Sequence, residues 1–211
     1  MTNELKGPSP SVDSTALGRA IIVVDPQPDF FEEGPLPVKD ATHTVARIAE
    51  FLRRHRDSYD VVVVTQDWHV EPGDHWSTSP NFTSTWPVHC VADSSGARIH
   101  DALADVAWDE IIRKGTHEGA YSGFEGRNAN GALLANLLTD RGVRDVTVVG
   151  FATDHCVKAT ALDARTLGFN VSVVLDLCTG VSPDTTQTAI DVMADQGIAL
   201  LNTEDLDVAL S

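Results

Sequence analysis

Asp67 and His69 in Gln66-Asp67-Trp68-His69, His75 in Gly73-Asp74-His75-Trp76 and His89 in Trp86-Pro87-Val88-His89 gather four residues of metal-ligating type into one short stretch. Imidazoles joined by one carboxylate suit zinc, iron or manganese, ions that accept nitrogen and oxygen donors. A lone loop histidine is usually only solvated, but four ligand-type residues between one apolar run and the next helical pattern point to one bound divalent transition metal ion. The preceding run, Val61-Val62-Val63-Val64, is β-branched and unbroken, as in a strand buried on both faces of a parallel sheet. Asp67 and His69 are therefore expected at that strand's carboxyl end, where open α/β sheets hold their sites.

Three further residues have the chemistry of a nucleophile with its helpers. Asp25 ends the run Ile21-Ile22-Val23-Val24, where apolar neighbours would partly desolvate a carboxylate and poise it as a base. Taken alone it reads as a turn residue. Lys114 follows Glu110-Ile111-Ile112-Arg113 and precedes Gly115, so it is expected at another strand end, where a fixed cation can hold a neighbouring thiol as thiolate. Cys156 follows a strand and a turn in Val148-Val149-Gly150-Phe151-Ala152-Thr153-Asp154-His155-Cys156, with Thr153 or Asp154 available as a cap. Its sulfur is expected in the first turn of a helix, where free N–H groups and the dipole lower a thiol's pKa and can hold an oxyanion. Cys90 and Cys178 read as small buried hydrophobes. A carboxylate, a lysine and a cysteine on three strand ends form the pattern for acyl transfer through a thioester, and amide hydrolysis follows as the natural reaction. Phe30, Trp68, Trp86 and Tyr121 fall in loops beside them and suit a flat, ring-shaped substrate.

Positioning these side chains requires an alternating chain. Strands are expected over 20–24, 61–65, 110–113, 146–150, 171–175 and 198–201, and helices over 42–55, 131–141, 154–167 and 183–195, several stopped by Gly142, Gly168 or Gly197. The fold class expected is α/β: a single domain with a doubly wound, mostly parallel six-stranded sheet and helices on both faces. With 211 residues, 42% of them hydrophobic, the chain is long enough for one sizeable core. Residues 1–18, polar and punctuated by Pro and Ser, read as a disordered lead-in that is neither signal peptide nor membrane span, and 19–211 as the domain. The long irregular stretch 67–96 is expected to be functional, because it carries the ligand candidates.

A formal net charge of −16 argues against nucleic acid or an anionic membrane as partner and leaves a small molecule; it carries no signal of oligomeric state. Three cysteines make no disulfide framework and favour a reducing, cytoplasmic setting.

The stretches I-I-V-V-D-P-Q-P-D-F, T-Q-D-W-H, G-D-H-W, W-P-V-H-C, R-K-G, A-Y-S-G-F-E-G and V-V-G-F-A-T-D-H-C-V, in that order, resemble the nicotinamidase/pyrazinamidase branch of the isochorismatase-like cysteine hydrolases. The likeness runs from about residue 19 to about residue 202. It implies Asp25, Lys114 and Cys156 as the catalytic triad, and Asp67, His69 and His89 as metal ligands with His75 completing the set. It also implies an oxyanion hole from the N–H groups of Ala152 and Cys156 beside a cis peptide between Phe151 and Ala152. Phe30 and Trp86 would sandwich a pyridine or pyrazine ring whose nitrogen faces the metal, with Tyr121 and His155 lining the pocket. Phe151 departs from the family, where a smaller aliphatic is usual, and is expected to alter the pocket's shape. The activity implied is hydrolysis of nicotinamide to nicotinate and ammonia, and of pyrazinamide to pyrazinoate, in NAD salvage and pyridine nucleotide biosynthesis. Two alternatives stand beside it. Carbamoyl- or ureido-acid amidohydrolases share the fold but generally lack this metal site, and a non-catalytic metal-binding member would have lost part of the triad.

Overall fold

The computed structural model describes residues 18–210. The expected lead-in therefore lies outside the described residues except for Gly18, which opens the first strand. Six strands form one sheet: β1 (Gly18–Val24), β2 (Val61–Asp67), β3 (Glu110–Lys114), β4 (Val143–Phe151), β5 (Asn170–Thr179) and β6 (Ala199–Leu201). Every pairing is parallel, in the order β3-β2-β1-β4-β5-β6. Parallel strands covered on both faces must be apolar throughout rather than alternating, and β1 and β2 comply, with Ala20 to Val24 and Val61 to Val64 all inaccessible to solvent.

Five α-helices cover the sheet among the described residues: α1 (Ala41–His55), α2 (Leu134–Asp140), α3 (Lys158–Thr166), α4 (Pro183–Asp195) and α5 (Thr203–Leu210). Odd and even positions of β1 sort to opposite layers, as the two-residue strand period requires. Ile22 and Val24 pack with Leu134, Leu138, Ala161 and Met193 from α2, α3 and α4. Ile21 and Val23 pack with Val45, Ile48 and Leu52 of α1 and Leu206 of α5. The helix after β1 and the helix after β4 thus leave toward opposite faces, and a crevice opens at the carboxyl ends of these neighbouring strands.

Strands β4 and β5 run longer than the sequence reading, and the helices differ from it in three places. Helix α2 begins at Leu134 rather than at 131, because Asn128 Oδ1 accepts from the N–H groups of Asn130 and Ala132 and folds 128–132 into a turn. The helix expected from 154 begins as a π-helical turn (Thr153–Val157), entered from Ala152 without a side-chain cap; the Asp154 carboxylate accepts instead from the Val181 N–H and the Thr185 hydroxyl, which ties the turn to α4. Helix α5 had no counterpart in the sequence reading. It is anchored by Asp176, which accepts from both the N–H and the hydroxyl of Thr203.

Gly150 marks the tightest approach between the two central strands. At its φ of +119°, a Cβ would lie 2.3 Å from the Val24 carbonyl oxygen and 2.7 Å from the Val24 nitrogen, both backbone atoms with nowhere to go. Gly150→Ala is expected to destabilise the fold by about 2 kcal/mol or more, measured as a lowered denaturant midpoint; an unchanged midpoint would show that the β1–β4 contact is looser than described.

Candidate active site

The carboxyl ends of β1 to β4 converge on one buried polar centre. Asp25 follows the last residue of β1 and takes a φ of +46°, the left-handed region in which Asp is among the more tolerated non-glycine residues. Asp67 ends β2, Lys114 ends β3, and Cys156 sits in the π turn after β4. The Lys114 ammonium lies 2.8 Å from Asp25 Oδ2, 2.5 Å from Asp67 Oδ1 and 3.5 Å from Cys156 Sγ. Asp25, Asp67 and Cys156 present ligand-type atoms within 4.8 Å of one another. A metal ion is the wrong occupant for that trio, because the lysine's positive charge already contacts all three.

The charges of this group sort themselves into distinct roles. Burial by itself would discharge Lys114, but Asp25 and Asp67 hold its pKa well above the ordinary lysine value. Burial would raise Asp67, yet the Lys114 ammonium beside it holds it well below the usual carboxylate range. For Asp25 burial wins over the pull of Lys114, and the nearby Asp67 charge adds to it, so its pKa is raised. Two carboxylates pushed apart in this way suit different tasks, Asp67 that of a standing counter-charge and Asp25 that of a proton acceptor. Burial also carries the Cys156 thiol well above its ordinary pKa; Lys114 opposes this, while the charges of Asp25 and Asp67 reinforce it. This corrects the expectation of a resting thiolate. With the Lys114 ammonium already shared by two carboxylates, burial outweighs its pull on the sulfur.

Next to this group, sharing Asp67, stand the three histidines. His69, His75 and His89 are buried and offer nitrogens within 4.8 Å of one another. Asp67 Oδ2 lies 3.7 Å from the Nε2 atoms of both His69 and His89. His69 Nδ1 pairs with the Gly115 carbonyl at 2.5 Å and His89 Nδ1 with the Pro87 carbonyl at 2.7 Å. A carbonyl only accepts, so each Nδ1 carries the proton and each Nε2 keeps a free lone pair, the arrangement by which an outer hydrogen bond orients a metal-binding imidazole. His69 Nε2 is buried with no hydrogen-bond partner. Burial, with the neighbouring His69 and His89, lowers the His75 pKa to about 4, which leaves that ring neutral and able to ligate. An orphaned buried nitrogen among three imidazoles and a carboxylate fits a divalent transition metal ion. Gly115 permits this packing: at its φ of +73°, a Cβ would lie 2.6 Å from His69 Cε1.

The irregular stretch that carries the histidines is stapled by backbone bridges. His69 N donates to the Cys90 carbonyl and Ala92 N to the His69 carbonyl, while Trp86 N donates to the His75 carbonyl and Ser77 N to that of Trp86. These pairs bring His89, near in space but twenty positions on, beside His69. Asp29 fastens the same segment, its Oδ2 accepting from the Cys90 N–H at 2.7 Å. Gln27 spans Asp67 from the far side, donating to its carbonyl and accepting from its N–H, both at 2.8 Å.

Above the polar centre opens a cleft of about 400 Å³ lined by Phe30, Trp86, Tyr121, His155 and Cys156 together with Asp67, His75 and His89. Trp86 Nε1 donates to the Tyr121 hydroxyl at 3.0 Å, and the Trp86 and His155 rings meet edge to face with centroids 5.0 Å apart. Two aromatics singled out in the sequence lie elsewhere. The Phe151 ring is buried in the α1-side core against Phe31, centroids 5.4 Å apart, so its bulk is absorbed there and does not reshape the cleft. Trp68, just past the end of β2, packs against the α1-side core and is covered by the Arg113 guanidinium 3.6 Å from its ring centroid. Leu36, Val38 and Val181 complete the apolar wall; nothing in their local sequence marks them, because they reach the cleft only through the fold. The peptide between Phe151 and Ala152 is cis. The Ala152 carbonyl accepts from the N–H groups of His155 and Val157.

A thiol, a carboxylate and a fixed cation at the bottom of an aromatic cleft, with metal-ligand-type side chains on one wall, are the groups that a hydrolase acting through a cysteine requires. The isochorismatase domain family matches residues 19–205, and the chain belongs to that family. It is 45% identical over 183 residues to the nicotinamidase/pyrazinamidase of Mycobacterium tuberculosis, covering 87% of this chain and 98% of that protein. Among solved structures, the pyrazinamidase of Pyrococcus horikoshii in complex with zinc is 36% identical with a TM-score of 0.73, covering 87% of this chain and 98% of that one. PnC1 from L. infantum in complex with nicotinate is 33% identical with a TM-score of 0.74, covering 89% and 94%.

Substituting His69→Ala is expected to abolish stoichiometric retention of a divalent ion after dialysis, read by elemental analysis, while leaving the fold intact. Full retention would show that the three-histidine cluster is not the binding site.

Proposed function

We propose that the protein hydrolyses nicotinamide to nicotinate and ammonia, and pyrazinamide to pyrazinoate, through a thioester on Cys156, with Asp25 and Lys114 completing the triad. The observation that carries this reading is the contact of Lys114 with Asp25, Asp67 and Cys156 at the base of an aromatic cleft that also presents metal-ligand side chains. The names of the relatives at 45% and 36% identity support the same substrate class.

In the proposed cycle Asp25 accepts the Cys156 proton as the sulfur attacks the carboxamide carbon, and Lys114 balances the charge that forms. The N–H groups of Ala152 and Cys156 hold the developing oxyanion. The C–N bond breaks as Asp25 returns the proton to nitrogen, and ammonia leaves a thioester. Asp25 then takes a proton from an incoming water whose oxygen attacks the thioester carbon; the C–S bond breaks, and the proton returns to sulfur as the aromatic acid departs. Phe30 and Trp86 sandwich the ring, and Tyr121 and His155 close the pocket around it.

Asp67, His69, His75 and His89 would hold one divalent ion, with zinc, iron and manganese all compatible with this donor set. Bound there, it supplies a Lewis-acid centre that can anchor the ring nitrogen. Zinc is the first ion to test, since the P. horikoshii pyrazinamidase is in complex with it. The carbamoyl- and ureido-acid alternative is disfavoured by the complete ligand set, and the non-catalytic alternative by the intact triad. The proposed setting is the cytoplasm, in NAD salvage, in keeping with free cysteines and with the lack, among the described residues, of any helix long and apolar enough to cross a membrane.

Ammonia release from nicotinamide by the purified protein, with and without chelator, tests the assignment. Release is expected from the wild type and loss below detection from Cys156→Ala, whose metal content should be unchanged. Turnover surviving in Cys156→Ala would falsify the nucleophile, and inactivity of the metal-loaded wild type toward both amides would overturn the substrate class.

A further inference from the structure

Thr65 lies two residues before the end of β2, inaccessible to solvent. Its hydroxyl donates to Asp25 Oδ1 at 2.5 Å and accepts from the Asp25 N–H at 3.1 Å. The other carboxylate oxygen, Oδ2, faces the Lys114 ammonium at 2.8 Å. Each oxygen of Asp25 therefore has its own partner, and the carboxylate cannot rotate without breaking both contacts.

The threonine is itself held in that orientation. Gly123 approaches so closely that a Cβ there would lie 2.9 Å from Thr65 Cγ2, and the Gly123 N–H is tied to the Thr160 hydroxyl at 2.9 Å. With its methyl wedged against Gly123 and a β-branched side chain restricted at χ1, the hydroxyl has one direction left, toward Asp25. The loop that presses on Thr65 also carries Tyr121, whose N–H shares the Glu125 carboxylate with that of Ser122.

We propose that Thr65 is a positioning residue that acts through Asp25. By occupying Oδ1 it leaves Oδ2, the oxygen beside Lys114, to exchange the proton with Cys156. Thr65 touches neither substrate nor the reacting sulfur; its contribution is to fix which oxygen is basic and where it points. The inference rests on Asp25 being the base of the proposed cycle.

The test uses the metal-loaded full chain with Thr65→Val, Thr65→Ala and Thr65→Ser. Removing the hydroxyl in the Val and Ala variants is expected to lower kcat for nicotinamide by at least about 10-fold, a part of the ~10²–10⁴ that a placed base contributes. KM is expected to stay within about 2-fold of wild type and bound metal to be retained, while Ser recovers to within about 3-fold of the wild-type kcat. A smaller fall in kcat, failure of Ser to recover it, or a parallel loss of metal and rise in KM would each overturn the proposal. The last pattern would assign Thr65 to support of Asp67 on the same strand. If Val cannot fold beside Gly123, the Ala and Ser pair decides alone. A second readout separates this inference from the choice of substrate: alkylation of Cys156 by iodoacetamide without any amide present, followed on the Cys156 peptide. It is expected to be slowed in Val and Ala and restored in Ser. A wild type that alkylates in this pattern yet releases no ammonia from nicotinamide would overturn the substrate and leave Thr65 standing, whereas equal alkylation in all four proteins would overturn Thr65.

Discussion

A single ammonium buried between two carboxylates holds this site together. Lys114 is among the largest fully buried side chains in the protein, and it meets Asp25 on one side and Asp67 on the other. A lone buried charge is prohibitively expensive, and removing one partner of a buried pair costs about 3–5 kcal/mol. The three strand ends that supply these groups are thus bound to one another electrostatically as well as through the sheet ladder. The same contact joins the two halves of the site, because Asp67 faces the lysine with Oδ1 and the histidines with Oδ2. Any change in charge on the metal side is felt at the base and the thiol through one carboxylate.

That arrangement explains why the resting cysteine is a thiol. In many cysteine enzymes a neighbouring cation or a helix terminus ionises the sulfur in advance. Here the neighbouring cation is already balanced by two carboxylates, and a buried thiolate would add a third negative charge to a desolvated group. In the proposed cycle, proton transfer to Asp25 avoids that excess, since the thiolate forms only as the carboxylate is neutralised. The raised pKa of Asp25 and the depressed pKa of Asp67 are two consequences of one geometry.

Much of this was legible in the chain. The unbroken β-branched runs located β1 and β2, and parallel-strand logic then put Asp25, Asp67 and Lys114 at one sheet edge. The stretch that carries His69, His75 and His89 reads as ligand-type, and the fold brings the three rings together. Other features left no local trace. Phe151 looks like a pocket residue because it sits next to Ala152, but the two-residue strand period turns its ring into the opposite layer. Trp68 is turned into the same α1-side layer, just past the end of β2, beneath the Arg113 guanidinium. Thr65 looks like any β-branched strand residue, and its role appears only when β1 lies beside β2 and the loop at Gly123 closes over it. Helix α5 is short and amphipathic only weakly, and its anchor, Asp176, comes from a different strand.

The sequence by itself determined the residue types, the strand ends on which they stand and the family to which the chain belongs, because hydrophobic period and ligand chemistry are local properties that survive without coordinates. Tertiary structure decided the ionisation of each group, which ring faces the cleft and which oxygen of Asp25 is free. Those depend on distances of 2.5 to 3.7 Å between residues some 20 to 90 positions apart, and electrostatic energy in a desolvated interior varies too steeply with distance to be read from order along the chain.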